Sequence, residues 1–278
     1  MSDPQGERGD TISSRAGSGA ILAFVGAKGG VGTTTLALNA ASLLARHHRV
    51  ILTELRPQCG ALYHYFRTRP APRNLADLLA GEPARTRVAD VQACLWQYTG
   101  LPGLRVLFGP QSIDEPMALS PAHVRVVLDS LAQLADYVVL DLPPACSEAN
   151  RAAVQRSDLL ALVLERDPIC LLSARVMLEA FEKWKIMPQV AGAVVVNRVA
   201  LALPFDLSEV ETQLGIPLFG AIPPAPELCL AARQALTPLV VFDADSLAAG
   251  GIGQFVLHLR IRSRVVPDEP LRGSLLRG

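Results

Sequence analysis

The sequence lacks three features that would point to particular classes of function. It has no charge imbalance, because 26 Lys and Arg residues offset 26 Asp and Glu residues, and we therefore do not expect it to bind nucleic acid. Its five cysteines include no Cys-X-X-Cys pair, which argues against a disulfide framework or a metal site. No purely apolar run approaches the roughly 18 residues of a membrane-spanning helix. These absences favour a cytosolic protein, with recruitment to the inner face of the membrane or to a cell pole left open.

The alternation of apolar and amphipathic segments predicts one α/β domain over residues 20–262. Residues 1–19 predict a disordered N-terminal tail and residues 263–278 a loose C-terminal tail. Predicted strands lie near 20–26, 49–54, 104–108, 137–141, 158–164, 190–197 and 217–222, and the clearest helices at 34–46, 120–134, 168–185 and 245–261. This order indicates a mostly parallel twisted sheet with helices on both faces, whose ligands bind at the carboxyl ends of the strands.

A glycine-rich stretch joins the first predicted strand to the first predicted helix. It reads Ala27-Lys28-Gly29-Gly30-Val31-Gly32-Thr33-Thr34-Thr35. A strand, a glycine-rich loop and a helix N-terminus are typical of a P-loop NTPase, in which backbone N–H groups wrap phosphates. Gly32 and the hydroxyl of Thr34 match the pattern G-X-X-X-X-G-K-[ST], but Thr33 stands where that pattern has lysine. We predict that residues 28–35 bind ATP or ADP and that Thr34 binds Mg²⁺.

Polar residues end two other predicted strands. Asp141 ends an apolar strand, where a Walker-B aspartate reaches Mg²⁺ through water; the alternative is a carboxylate that caps the next turn. Asn197 and Arg198 follow the strand near 190–197, and an amide at this place can read adenine, although Asn is also an ordinary turn former. Both strand ends are predicted to face the same ligand as the glycine-rich loop.

These motifs resemble the ParA/MinD family of deviant Walker-A ATPases. The resemblance rests on K-G-G-V-G-X-T-T in the loop, D-L-P at the strand end, V-V-N-R on a later strand and I-P-P-A-P-E beyond it, and it covers roughly residues 20–260. The stretch from Phe108 to Asp167 is most similar to the CpaE/TadZ branch of pilus-assembly ATPases. The loop is also similar to BcsQ-type proteins of cellulose secretion, which is the nearest alternative.

The resemblance implies roles for individual residues. Lys28 would reach across an ATP-bound homodimer to the phosphates of the partner subunit. Asn197, with Arg198 beside it, would read the adenine, and Pro223 and Pro224 would pack beside the base. The family further implies a protein partner, which on this branch would belong to a secretion or pilus machinery.

The segment that matches switch I departs from the family pattern. Relatives read D-X-D-P-Q where this chain reads Glu54-Leu55-Arg56-Pro57-Gln58, so Arg56 replaces the acid that orients the attacking water. Thr33 already replaces the lysine, and losing one charge-stabilising group typically lowers a rate by about 10² to 10³. We therefore predict slow ATP hydrolysis at most, with binding retained by the loop N–H groups. Arg56 could supply the charge that Thr33 lacks.

Three functions follow from these residues. The first is a nucleotide-dependent scaffold with little catalysis, the second an active partitioning ATPase, and the third a nucleic-acid-binding partition factor that uses its last helix. That helix, near 245–261, carries three arginines, Arg260, Arg262 and Arg264, and four apolar residues at helical spacing, Ile252, Phe255, Val256 and Leu259. We expect the apolar residues to pack on the domain, with peripheral membrane contact as the alternative.

Overall fold

The computed structural model describes residues 18–56, 60–66, 73–112, 114–115, 118–197 and 205–263. Its strands are β1 (Ala20–Gly26), β2 (Val50–Glu54), β3 (Trp96–Gln97), β4 (Leu104–Leu107), β5 (Tyr137–Leu142), β6 (Leu159–Leu164), β7 (Val190–Val196) and β8 (Leu218–Ile222). Its helices are α1 (Thr33–Leu44), α2 (Leu62–Phe66), α3 (Leu75–Leu79), α4 (Val88–Ala93), α5 (Pro121–Leu134), α6 (Glu148–Arg156), α7 (Pro168–Lys183), α8 (Leu207–Leu214), α9 (Pro226–Gln234), α10 (Leu239–Phe242) and α11 (Leu247–Ser263). Apart from residues 18, 19 and 263, the two predicted tails lie outside the described residues.

The strands form one mostly parallel sheet in the order β3-β4-β2-β5-β1-β6-β7-β8, which confirms the predicted fold class. The seven predicted strands are present and run parallel to one another. The two-residue strand β3 pairs antiparallel with β4 at one edge. The sequence did not indicate β3, because two residues are too few to show an alternating pattern.

Helices cover both faces of the sheet. All seven residues of β1 are buried, and successive side chains of a strand point to opposite faces, so both faces are covered at this strand. One group of helices, α1, α10 and α11, packs together, and a second group is formed by α4, α5 and α6. Ser120 and Asp167 cap α5 and α7 by accepting hydrogen bonds from their first turns, and a proline follows each cap, as is common where helices begin.

The apolar residues of α11 pack on the domain, as predicted. Ile252, Phe255, Val256 and Leu259 are all buried, and the ring of Phe255 meets that of Phe24 on β1 edge to face, with centroids 5.7 Å apart. Within the residues that the structure describes, none of the helices is both long enough and apolar enough to cross a bilayer.

Arg262 of α11 also contacts the domain. The guanidinium of Arg262 lies 4.6 Å from the centre of the Phe219 ring and donates a hydrogen bond to the carbonyl oxygen of Ala191 at 3.0 Å. Arg264 lies outside the described residues. Arg262 is therefore part of the packing between α11 and the sheet, and this use weakens the case for a basic surface on this helix.

The parallel register brings the carboxyl ends of the central strands together. Glu54 at the end of β2 is paired with Asp141 on β5, and Asp141 is in turn paired with Phe24 on β1. The glycine-rich loop leaves β1 at this same edge. The fold thus places the loop, Glu54 and Asp141 side by side.

Candidate nucleotide-binding site

The glycine-rich loop turns sharply between β1 and α1. Gly30 and Gly32 have φ angles of +83° and +93°, in the left-handed region that glycine adopts without a steric cost. Gly32 is also the N-cap of α1 and provides no side-chain hydrogen bond to the helix. The first turn of α1 therefore depends on other groups to satisfy its N–H donors, which makes this helix end suitable for an anion.

Thr33 does not take over the function of the missing lysine. Its side chain is buried and folds back under the loop. The Thr33 hydroxyl lies so close to Gly26 that a Cβ atom added to this glycine would be only 2.5 Å from it. The side chain thus packs against the end of β1. A hydroxyl in this position carries no charge that could balance a phosphate.

Thr34, Asp141 and Arg56 form a tight cluster beside the loop. The hydroxyl of Thr34 donates to Asp141 Oδ2 at 2.6 Å, so the two residues predicted to serve Mg²⁺ do meet. The guanidinium of Arg56 reaches the same two atoms, because its Nη2 lies 3.1 Å from Asp141 Oδ2 and 3.3 Å from Thr34 Oγ1. Arg56 is therefore a structural member of the site.

Glu54 is buried beside this cluster. It accepts hydrogen bonds from the backbone N–H of Ala61 at 2.6 Å and of Leu62 at 3.1 Å, and so it holds the first turn of α2. Arg56 Nε lies 3.5 Å from Glu54 Oε2. The pKa of Glu54 is raised to about 7. Burial is the main cause, the hydrogen bond from Ala61 acts against it, and the neighbouring Asp141 adds to the rise.

Asp141 is buried as completely as Glu54. Burial raises the pKa of Asp141, and the charge of Arg56 and the hydrogen bond from Thr34 act against that rise. Two buried carboxyl groups thus share one guanidinium. Arg56 favours the charged form of both carboxyls, whereas their burial disfavours it.

The arrangement of these side chains does not fit a metal ion at the predicted position. A hydroxyl and a carboxylate are suitable ligands for Mg²⁺, and Asp141 Oδ1 is buried without a hydrogen-bond partner among the described residues. Yet Thr34 Oγ1 and Asp141 Oδ2 are hydrogen-bonded directly to each other, and the guanidinium of Arg56 contacts both oxygens. The site as folded therefore holds an internal cation where the family pattern has a metal.

Lys28 makes its contacts within its own subunit. Its Nζ lies 3.2 Å from Glu165 Oε2 and 3.9 Å from Asp167 Oδ2, with 29% of the Lys28 side chain exposed. Both acids follow β6, and Asp167 is also the N-cap of α7. The ion pairs hold the loop against the segment between β6 and α7.

A cavity of about 580 Å³ opens at the carboxyl ends of the strands. Four predicted loop residues line it, namely Gly30, Val31, Gly32 and Thr35; Lys28, Gly29, Thr33 and Thr34 are outside its lining. Asn197 and Pro223 also line it, whereas the neighbouring Pro224 does not. Arg198 lies outside the described residues. The volume is within the range of about 300 to 1,000 Å³ that is usual for small-molecule sites.

Two arginines of the cavity were missed by sequence reasoning. Arg166 donates from Nε to Asn197 Oδ1 at 3.1 Å and so orients the amide that was predicted to read adenine. Its position directly after a strand was a signal that could have identified it. Arg233 on α9 lies 5.2 Å from the centre of the Tyr65 ring, a contact between distant segments that no local pattern indicates.

A glycine-rich loop that joins a central parallel strand to a helix, and that faces a cavity at the carboxyl edge of the sheet, defines the P-loop NTPase class. The AAA_31 family model, described as an AAA domain, matches residues 19–187. The chain belongs to this family of ParA/MinD-type P-loop ATPases.

Individual relatives agree with this assignment. An uncharacterized ATP-binding protein of Methanocaldococcus jannaschii is 27% identical over 240 residues, which cover 86% of each chain. A ParA family ATPase of Chlorobium tepidum has a similar structure, with a TM-score of 0.78 and 19% identity over 88% of this chain and 100% of that one. The septum site-determining protein MinD of Pyrococcus horikoshii, complexed with Mg-ADP, has a TM-score of 0.73 and 18% identity over 86% of this chain and 95% of its own.

Proposed function

We propose that this protein is a nucleotide-dependent scaffold, which binds ATP or ADP in the cavity beside the glycine-rich loop and hydrolyses ATP slowly at most. The observation that carries the proposal is the composition of that cavity. One part of its lining is the loop with the N-terminus of α1, and another part is Asn197 with Pro223. A nucleotide likewise has two parts that a protein must bind, the phosphates and the base.

The phosphate end relies on the helix N-terminus in place of the missing lysine. Backbone N–H groups at the start of α1 and the partial charge of the helix dipole favour an anion there. Two arginines, Arg166 and Arg233, line the cavity, and two acids, Glu165 and Asp167, balance their charge. The attraction for phosphate therefore comes mainly from the backbone of the loop and of the first turn of α1.

The base end has one oriented amide in largely apolar surroundings. Arg166 holds Asn197 Oδ1, and the backbone N–H of Asn197 donates to Ile222 O at 3.0 Å, which attaches this residue to β8. Pro223, Ala248 and Ile252 add apolar surface. A fixed amide within an apolar lining is suited to reading the edge of a purine.

Slow hydrolysis follows from the same geometry. The Thr33 side chain points back to β1, and Arg56, which replaces the water-orienting acid of the family pattern, is paired with Asp141 at 3.1 Å. A guanidinium does not act as a general base, because it stays protonated. The bound nucleotide would thus persist, and occupancy of the site would act as the signal.

We extend the proposal to the assembly that this protein serves. A homodimer on ATP binding would let Lys28 leave Glu165 and Asp167 for the phosphates of the partner subunit, which would replace the two ion pairs that Lys28 gives up. On the resemblance of residues 108–167 to pilus-assembly ATPases, the partner would be a component of a pilus or secretion machinery. A cellulose-secretion factor and a partitioning ATPase that contacts DNA or membrane are the alternatives.

Calorimetric titration with ATP, ADP and GTP tests the binding proposal. We expect the wild type to bind adenine nucleotides, and we expect Asn197→Ala to weaken that binding by roughly tenfold, the effect of losing one oriented hydrogen bond in a buried site. Gln133→Ala, an exposed amide on α5, is the matched control and should bind as the wild type does. Absence of binding of any adenine nucleotide to wild-type protein with a folded circular-dichroism spectrum would contradict the proposal.

A further inference from the structure

Arg56 contacts Thr34 and Asp141, the two residues that were predicted to bind Mg²⁺. We propose that its guanidinium takes the place of the metal ion, so that this protein binds the polyphosphate of a nucleotide without Mg²⁺. The inference rests on the proposed function, because it concerns how the same cavity neutralises phosphate.

The geometry places the guanidinium on the two groups that would otherwise hold a metal. Arg56 Nη2 is 3.1 Å from Asp141 Oδ2 and 3.3 Å from Thr34 Oγ1. Its Nε lies 3.5 Å from Glu54 Oε2. One side chain therefore meets the hydroxyl that begins α1 and the carboxyl groups that end β2 and β5.

Charge balance favours the guanidinium over an added metal. Glu54 and Asp141 are both fully buried and are paired in register on adjacent strands, so a carboxyl that ionises here requires a cation nearby. Arg56 supplies it permanently, since a guanidinium is not deprotonated in proteins. A divalent ion that binds to the same oxygens would lie next to this fixed positive charge, and like charges repel strongly at short distance in a buried site.

The same guanidinium lies beside the cavity, outside its lining. Its side chain keeps 26% of its surface exposed, and Thr34, which it contacts, precedes the cavity-lining Thr35. A guanidinium has five N–H donors, more than its contacts with Asp141, Thr34 and Glu54 require. Those not directed at these three residues can form charge-assisted hydrogen bonds with phosphate oxygens, for which the planar guanidinium is well suited.

A purely structural role for Arg56 makes a different prediction. If Arg56 only joined the ends of β2 and β5, its removal would lower stability. Nucleotide binding would then depend on Mg²⁺ in the variant to the same extent as in the wild type. If Arg56 replaces the metal, its removal leaves Thr34 and Asp141 available as ligands. The variant should then acquire a dependence on Mg²⁺ that the wild type lacks.

Calorimetric titration of ATP and of ADP separates these possibilities, each nucleotide being measured once with excess Mg²⁺ and once with EDTA. The proteins are the wild type, Arg56→Gln and the matched control Arg85→Gln, whose arginine side chain is 83% exposed on the surface. For the wild type and the control we expect dissociation constants that differ less than about threefold between the two buffers. For Arg56→Gln we expect binding at least about tenfold weaker in EDTA, as for a lost charge-assisted hydrogen bond, with recovery in Mg²⁺.

Three outcomes would overturn the inference. The first is wild-type binding that falls tenfold or more in EDTA, and the second is an Arg56→Gln variant that binds equally well in both buffers. The third is no nucleotide binding in any buffer, which would remove the proposed function as well and is thereby distinguishable from the first two. Thermal melts of each variant identify a folding defect. If Arg56→Gln has one, Arg56→Lys, which keeps the charge, replaces it in the titrations with Mg²⁺ and with EDTA. This variant should retain at least part of the binding in EDTA.

Discussion

The buried carboxyl group of Glu54 should make the stability of this protein depend on pH near neutrality. Burial raises the pKa of Glu54 from 4.5 to about 7. The folded chain therefore binds a proton that the unfolded chain releases at lower pH. Between these two values the folded state holds more protons than the unfolded state, so the free energy of unfolding falls as pH rises.

The size of this effect follows from the two pKa values. One pKa unit corresponds to about 1.4 kcal/mol. The rise from 4.5 to about 7 therefore makes the folded state about 2 to 3 kcal/mol more stable at about pH 5 than at about pH 8. Screening by solvent does not reduce it much, because Glu54 has an exposed fraction of 0%. The contribution is a substantial part of the 5 to 15 kcal/mol that is typical of whole domains.

Glu54→Gln is the substitution that isolates this contribution. The amide oxygen can still accept from the N–H groups of Ala61 and Leu62, and no charge remains to be desolvated. Urea unfolding at about pH 5 and about pH 8, at constant ionic strength, should show that the wild type loses about 2 to 3 kcal/mol more than the variant over this range. Other groups that titrate here, such as His48 with its lowered pKa, are present in both proteins and cancel.

Glu82→Gln is the matched control for this experiment. The side chain of Glu82 is 73% exposed and pairs with Arg85 on the surface, where ion pairs contribute little. This variant should retain the pH dependence of the wild type. If Glu54→Gln also retained it, the carboxyl of Glu54 would not be the group that burial protonates, and the reasoning would be refuted.

Two further predictions concern turnover and assembly. Wild-type ATP turnover should lie far below about 1 s⁻¹, and the double change Thr33→Lys with Arg56→Asp should raise it by about tenfold or more; brisk wild-type turnover that Asp141→Ala abolishes would contradict this. Light scattering should show an ATP-dependent increase in the mass of the wild type that Lys28→Ala loses and that Lys183→Ala, a surface control, retains. Equal masses for all three proteins with and without ATP would count against the dimer.

Much of the fold could be predicted from the sequence, because the relevant patterns are local. The seven predicted strands are runs of apolar residues that the sheet buries, and their bounds differ from the structure by at most one residue. The predicted helix near 34–46 is α1 (Thr33–Leu44), and that near 245–261 is α11 (Leu247–Ser263). Short elements such as α2 and β3 were not identified, since a few residues show no clear periodicity.

Part of the candidate site was also predictable from the sequence. Gly30, Gly32 and Asn197 line one cavity, as expected for residues at the carboxyl ends of parallel strands. Thr34 and Asp141 meet at 2.6 Å. Position along the chain identified these residues because a parallel sheet collects its strand ends at one edge, whatever the details of packing.

The sequence by itself determined the strands, the loop and the set of residues at the sheet edge, because burial and backbone conformation leave periodic and local signals. Only the tertiary structure decided what Arg56 contacts, since its partners Thr34 and Asp141 are 22 and 85 residues away along the chain. Their meeting depends on the register of β2 against β5, which buries Glu54 beside Asp141 and leaves two carboxyl groups in need of one cation. The physical reason is that electrostatic interactions depend on distance in space and on desolvation, and neither quantity can be derived from the order of residues along the chain.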